Sequence, residues 1–275
     1  MKLFYKNSRE MRVDFAKWPI MYQEPESLLE KEWQYDYVNH QSYGGKVKRF
    51  YRGIEEKILR VSLFAESGQD FKDIIRKMEE CFEFDMAVMT AGRLYFGDSY
   101  LKCYIKGAKW EEWEEDLYAT DQELTILAEY PFWITEKAYV FQVSEITTTD
   151  NKKYPYKYVA RYANGLINTK VVNEHFLPCH FLLKIYGPCA NPHVIIGNHV
   201  YQFYNVLEQG EYMTVDSMNK TVKKTMTNGI VVNAFNCRDK QNSVFQKIEP
   251  GRNSVKWPRS FDFEITLYEE RSGPG

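Results

Sequence analysis

Histidine and cysteine, the side chains most often used to bind zinc, are concentrated in one stretch of this 275-residue sequence. Four of the five histidines and two of the five cysteines lie there, namely His175, Cys179, His180, Cys189, His193 and His199. Neighbours in a strand point to opposite faces, and neither C-x2-C nor H-x3-H recurs as a paired knuckle. We therefore expect ordinary strand and turn residues here, and predict no metal ligands.

The acidic run "WEEWEED", from Trp110 to Asp116, carries five carboxylates that could hold a hard cation or supply the acid pair of a glycosidase. Adjacent residues of a hairpin point to both faces, however, and a carboxylate pair across a sugar usually comes from separate strands. The pattern favours a solvated hairpin tip.

The basic segment "KVKRFYR", from Lys46 to Arg52, interleaves cations with Phe50 and Tyr51, as weak nucleic-acid patches do. Seven residues are a short patch, and the net charge of -2 gives no global field to hold phosphates. The segment is more typical of the rim of a protein-protein interface, where Arg and Tyr are enriched.

Nothing in the sequence supports catalysis. G-x-S-x-G, P-loop, dinucleotide-fingerprint and HExxH motifs are all missing, and no serine and histidine occur in a triad context. We predict that the protein is not an enzyme, with no catalytic or cofactor-binding residues and no cofactor.

The start of the chain lacks the apolar region of a signal peptide, and no run approaches the length of a membrane span. We therefore expect synthesis in the cytoplasm and no membrane association. Five scattered cysteines in such a chain are best interpreted as buried reduced thiols: Cys81, Cys103, Cys179, Cys189 and Cys237.

Alternating strands and one amphipathic helix organise the first half of the chain. Trp33, Tyr35 and Tyr37 share one strand face, and residues 55–66 place Leu59, Val61 and Leu63 on the face of a second strand that should join the same core. A helix is predicted over residues 68–84, with a capping box at Ser67 and Asp70. Its apolar stripe is Phe71, Ile74, Ile75, Met78 and Phe82.

A β-meander should follow this helix, with turns at Gly97-Asp98 and Gly107 and an alternating strand, Leu124, Ile126 and Ala128, that Pro131 closes. A lone helix among strands must pack on a sheet, so the first domain is expected to be α+β.

Short strands and turns fill the last third of the chain. Phe181, Leu183 and Ile185 alternate with Leu182, Lys184 and Tyr186, a period of two, and Gly187-Pro188, Asn191-Pro192 and Gly197-Asn198 follow at strand-length intervals. This pattern is typical of a β-sandwich. Polar residues 143–165 mark the domain boundary near residue 150, which predicts domains at 1–150 and 151–275, the second opening with Tyr154, Tyr156 and Tyr158.

The order of these parts resembles the distal tail proteins of siphovirus-type phages. The C-terminal resemblance rests on "GP..NP", "GN", a "G.....D" turn from Gly210 to Asp216 and "PG.N" from Pro250 to Asn253, and the N-terminal resemblance on "AEYPFW" from Ala128 to Trp133. It implies a mainly β protein: an α+β ring-forming domain with one amphipathic helix, then a galectin-like or carbohydrate-module-like β-sandwich.

The resemblance also implies a function. A distal tail protein is a structural part of the phage tail tip, made in the host bacterial cytoplasm and located in the virion. It forms a homo-hexameric ring that joins the tail tube protein to the tip, or baseplate, with its hub, tail-associated lysin and receptor-binding proteins. DNA passes through the ring without specific binding, and the acidic run would form a negative rim near that channel.

The alternative is a soluble carbohydrate-binding module, because exposed aromatic rings on a sandwich can stack on sugars. Trp257 is the candidate for such a contact.

Overall fold

The computed structural model describes residues 2–40, 43–114, 119–143 and 170–274, and over these residues the chain is mainly β, as predicted. It divides into two compact units, Met1–Thr135 with Glu270–Gly275 and Glu136–Glu269. The boundary predicted near residue 150 and the three tyrosines predicted to follow it lie outside the described residues. No helix in the described ranges is both long and apolar enough to span a membrane.

The strands and helices of the first half follow in chain order. They are β1 (Leu3–Lys6), β2 (Arg12–Asp14), β3 (Ala16–Lys17), β4 (Ile20–Tyr22), α1 (Glu26–Leu29), β5 (Gln34–Asn39), β6 (Gly45–Tyr51), β7 (Glu55–Phe64), α2 (Gly68–Ala87), β8 (Gly92–Phe96), β9 (Ser99–Glu114), β10 (Ala119–Ala128) and β11 (Trp133–Phe141).

Helix α2 begins where its capping residues predict. The Ser67 side chain accepts a hydrogen bond from the Asp70 backbone N–H at 3.2 Å, and Asp70 accepts one from the N–H of Glu66 at 3.1 Å. The helix continues to Ala87, three residues past its predicted end. Phe71, Met78, Cys81 and Phe82 are buried on its inner face, so the apolar stripe packs on the sheets.

Strand β9 is long enough to belong to two antiparallel sheets of the first unit. Its first part pairs with β8 and β11, and its second part pairs with β10. Strands β1 and β2 extend the first sheet, and β7, β4 and β3 extend the second. Leu59 of β7 lies opposite Leu124 of β10, both fully buried, so the predicted alternation of these strands is confirmed.

The turn expected at Gly107 was wrong. Gly107 is not at a turn but inside β9, beside a register shift that leaves Lys106 as an extra residue, which is a β-bulge. Glycine in a strand signals a bulge as readily as a turn. A second helix, α1, also precedes the amphipathic one, although it is only four residues long.

The second unit is a β-sandwich. Its elements are β12 (Lys170–Asn173), β13 (His180–Tyr186), β14 (Cys189–Ala190), β15 (His193–Ile196), β16 (His199–Gln202), β17 (Val206–Leu207), β18 (Tyr212–Asp216), β19 (Thr221–Thr225), β20 (Val231–Asn233), a 3₁₀ turn (Phe235–Cys237), β21 (Gly251–Lys256) and β22 (Phe263–Arg271).

One sheet of this sandwich has the order β20-β19-β18-β13-β22 and the other has the order β12-β21-β15-β16. Phe181, Leu183 and Ile185 of β13 are fully buried and share one core with Val194 and Ile196 of β15. The turn after β13 needs glycine, because a Cβ on Gly187 would collide with the backbone of Glu208. The period-two pattern therefore identified the buried face correctly.

Candidate functional site

The histidines and cysteines between positions 175 and 199 occupy separate environments. His180 Nδ1 lies 3.2 Å from Ser217 Oγ, and His199 Nε2 lies 2.8 Å from the Ser243 carbonyl oxygen. The buried Cys179 thiol donates to Asn173 Oδ1 at 3.2 Å. Within the described ranges, no three His, Cys, Asp or Glu side chains are placed to hold a metal ion.

The cysteines of the first unit are buried in its core. Cys81 and Cys103 are fully buried, and burial raises the pKa of Cys81 to about 11. A thiol with so high a pKa stays protonated and is a poor nucleophile. Both residues contribute packing.

The acidic run lies on the hairpin formed by β9 and β10. The backbone of its first five residues belongs to β9, which pairs with β10 through Glu114 and Ala119. The tip that joins the two strands lies outside the described residues.

The most distinctive surface of the first unit is a hairpin of β5 and β6, residues 34–51, here called the arm. Its two strands pair only with each other among the described strands. We expected the aromatic strand at residues 33–37 to join the core of β7, and this was wrong, because every described residue of the arm except the half-buried Asp36 is exposed. The basic segment at residues 46–52 supplies the second strand of the arm.

The arm has an aromatic face, and no described residue covers either face. Tyr35 lies opposite Phe50 and Tyr37 lies opposite Val47, so these four side chains share an aromatic face. The Tyr35 ring centroid is 5.9 Å from that of Tyr37 and 6.2 Å from that of Phe50. Tyr35, Tyr37 and Phe50 are 55%, 57% and 63% exposed. Such a patch on a soluble protein usually marks an interaction surface.

The opposite face of the arm is mixed, because Arg49 lies there over the ring of Tyr51, 5.1 Å from its centroid. Asp36 pairs with Arg49, whose Nε donates to Asp36 Oδ2 at 2.6 Å. Phe50 and Val47 were not identified from the sequence as partners of the tyrosines. The alternation of apolar and basic residues in "KVKRFYR" could have indicated a second strand with an apolar face.

Arg52 anchors the base of the arm. Its guanidinium donates two hydrogen bonds to the Glu55 carboxylate, at 2.7 and 2.6 Å, and a third to the Ser272 carbonyl at 3.1 Å. The Arg52 side chain is fully buried and also lies over the ring of Phe132, 5.2 Å from its centroid. Trp33 packs on the same ring at 6.0 Å. Phe132 of the "AEYPFW" motif therefore contacts the residue that precedes the first strand of the arm and the residue that follows the second.

Lys57 binds the backbone of the segment that precedes the first strand of the arm. Its Nζ donates to the carbonyl oxygens of Ser27 and Glu30 at 3.2 and 2.6 Å, and burial lowers its pKa. Side-chain hydrogen bonds thus hold the chain both before and after the arm.

Solved structures share this fold over the whole chain, although no protein-family model and no curated protein sequence matches it. The crystal structure of the SPP1 Dit protein, described as a paradigm of the hub adsorption apparatus in phages that infect Gram-positive bacteria, has a TM-score of 0.62 at 10% identity and 98% coverage of both chains. This chain has the fold of phage distal tail proteins.

Two structures of the phage p2 baseplate in its activated conformation also contain a chain similar to this one. The calcium form has a TM-score of 0.65 at 12% identity and 100% coverage of both chains, and the strontium form has a TM-score of 0.64 at 12% identity and 99% coverage of both. The resemblance inferred from short turn motifs is confirmed at the level of fold.

Proposed function

We propose that this protein is a structural component of a phage tail tip, a distal tail protein that assembles into a homo-hexameric ring. The observation that carries the proposal is the arm, whose aromatic face is uncovered in the monomer. A ring of head-to-tail contacts gives each arm a neighbouring copy to cover it. The distal tail fold supports this role, since the similar solved proteins are a phage hub protein and baseplate chains.

In this role the ring joins the tail tube protein to the tip, with its hub, tail-associated lysin and receptor-binding proteins. The protein is made in the host cytoplasm and resides in the virion tail tip. DNA passes through the channel without specific contacts, and the protein has no catalytic task.

The alternative of a glycan-binding module has less support from the second unit. Trp257 is only partly exposed, its ring packs edge-on against Phe141 and Phe263, and its Nε1 donates to the Phe261 carbonyl at 3.2 Å. A cleft of about 470 Å³ contains the buried Tyr201, whose hydroxyl donates to the Gln246 carbonyl. Neither ring offers the open face that sugar stacking requires.

The test is the mass of the full-length protein in solution, measured by light scattering after size exclusion. We expect a mass of six subunits for the natural sequence and a folded monomer for the triple variant Tyr35→Ser, Tyr37→Ser and Phe50→Ser. Tyr204→Ser, at an exposed position of the second unit, is the matched control and should assemble. A natural chain that stays monomeric at high concentration, or a triple variant that assembles normally, contradicts the proposal.

A further inference from the structure

A groove beside helix α2, here called the α2 groove, lies between the helix and the β9–β10 hairpin. Met78 and Phe82 of the helix, Ile105 of β9 and Gln122 of β10 line it, and its volume is about 230 Å³. A cavity of about 150 Å³ accommodates benzene, so the α2 groove has room for one aromatic ring.

Gln122 is the unexpected member of this lining. It lies on the same face of β10 as Leu124 and Ile126, it is only 3% exposed, and its Oε1 accepts no hydrogen bond. A buried acceptor without a donor is costly. A hydroxyl group that enters the groove and displaces the Gln122 side chain enough to reach Oε1 would supply that donor.

The rim of the α2 groove on its helix side is acidic. Glu79 and Glu83 are exposed, line the groove and form no ion pair with described residues. They lie in the C-terminal half of α2, where the helix dipole adds negative potential and the last turn carries no basic residue. Lys106 of β9 also lines the groove, but it is paired with Glu56, so Glu79 and Glu83 remain available to a cationic partner.

The tip of the arm has the complementary chemistry. Tyr43 is 91% exposed and is followed closely by Lys46 and Lys48, which form no ion pair with described residues. The arm thus offers one phenol ring with a hydroxyl donor and two cations within a few residues. The phenol matches the lone acceptor in the groove, and the two cations match the two carboxylates of its rim.

We propose that the α2 groove receives Tyr43 from the arm of a second copy of this chain, with the Tyr43 hydroxyl donating to Gln122 Oε1 and Lys46 and Lys48 facing Glu79 and Glu83. This inference rests on the proposed ring, because it names the surface on which each arm lands. A ring in which the arm contacts a different surface of its neighbour is also compatible with the proposed function, so the two can fail separately.

Photo-crosslinking of the full-length protein tests the landing site. With p-benzoylphenylalanine at position 43, irradiation should link two copies, and mass spectrometry should place the link in residues 75–86 or 104–110 of the second copy. Rings that form normally while the link maps elsewhere, for example to another arm, overturn this inference and leave the proposed function intact. A chain that never associates overturns both.

Charge reversal gives an independent check. Glu79→Lys with Glu83→Lys should weaken association roughly tenfold or more, since like charges would face each other. Adding Lys46→Glu and Lys48→Glu should restore it. Glu80→Lys, an exposed neighbour outside the groove lining, should leave association unchanged. Equal weakening by the control, or no restoration by the second reversal, overturns the inference.

Discussion

Tyr5→Phe should destabilise the first unit more than the loss of an ordinary hydroxyl hydrogen bond would. Tyr5 and Asp85 are both fully buried, and the Tyr5 hydroxyl donates to Asp85 Oδ2 at 2.6 Å. Asp85 Oδ1 is already held by the backbone N–H and the hydroxyl of Ser8, at 2.8 and 2.7 Å. Burial in particular raises the pKa of Tyr5, so its hydroxyl remains a donor.

The size of the effect follows from what the variant leaves behind. Phenylalanine fills the same space but leaves a buried carboxylate oxygen without its donor, and hydrogen bonds to charged groups contribute about 1.5 to 3 kcal/mol. For a unit of this size, that corresponds to a melting temperature lower by about 5 to 10 °C. Space is restricted as well, since a Cβ on Gly92 would collide with both the Tyr5 hydroxyl and the Asp85 carboxylate.

Differential scanning calorimetry measures this effect, and Tyr95→Phe is the control. Tyr95 is half-buried on the neighbouring strand β8, and its ring stacks on Phe4, with no hydroxyl hydrogen bond to described residues. The control should melt within about 1 or 2 °C of the natural protein, as expected for a change within half a kcal/mol. Equal melting temperatures for the two variants would refute the assignment of this hydrogen bond.

Three further results are expected. Met78→Ala should cost about 2 to 4 kcal/mol in chemical unfolding, because it empties a buried site, whereas the exposed Lys77→Ala should stay within about half a kcal/mol. A fragment of residues 136–275 should fold as a monomeric β-sandwich by circular dichroism, and one starting at residue 151 should be less stable by about 3 kcal/mol or more, because it lacks the buried phenylalanine of β11. Burial chiefly lowers the pKa of His180 from 6.5 to about 4, so the unfolded chain takes up the proton at a higher pH than the folded chain does. The urea concentration at the midpoint of unfolding should therefore fall as the pH drops from 6.5 to about 4. This decrease should be smaller in His180→Gln.

Local patterns predicted much of the fold. The start of α2 could be read from Ser67 and Asp70 because a capping box is decided within four residues. The buried faces of β7, β10 and β13 could be read from alternation, because a strand with one buried face has period two.

The remaining features depend on contacts distant in sequence. Alternation showed that Tyr35 and Tyr37 share a face. The same pattern fits a strand that packs on the core of its own chain and a strand whose aromatic face stays exposed for contact with another protein. Asp85 follows the apolar stripe of α2 and is buried only because Tyr5 and Ser8 reach it from β1 and the turn after it. Gln122 lies on the buried face of β10 with Leu124 and Ile126. A polar side chain among these apolar residues was the one sequence feature that could have indicated the α2 groove.

The contacts at the base of the arm also bear on the symmetry of any assembly. A head-to-tail contact closes into a ring only when the rotation from one copy to the next divides a full turn, and otherwise it continues as an open filament. If the arm is that contact, the rotation is set by the angle at which Arg52 and Phe132 hold it. A substitution at Arg52 would then change closed rings into spirals of variable length while the surface that touches the neighbour stays the same.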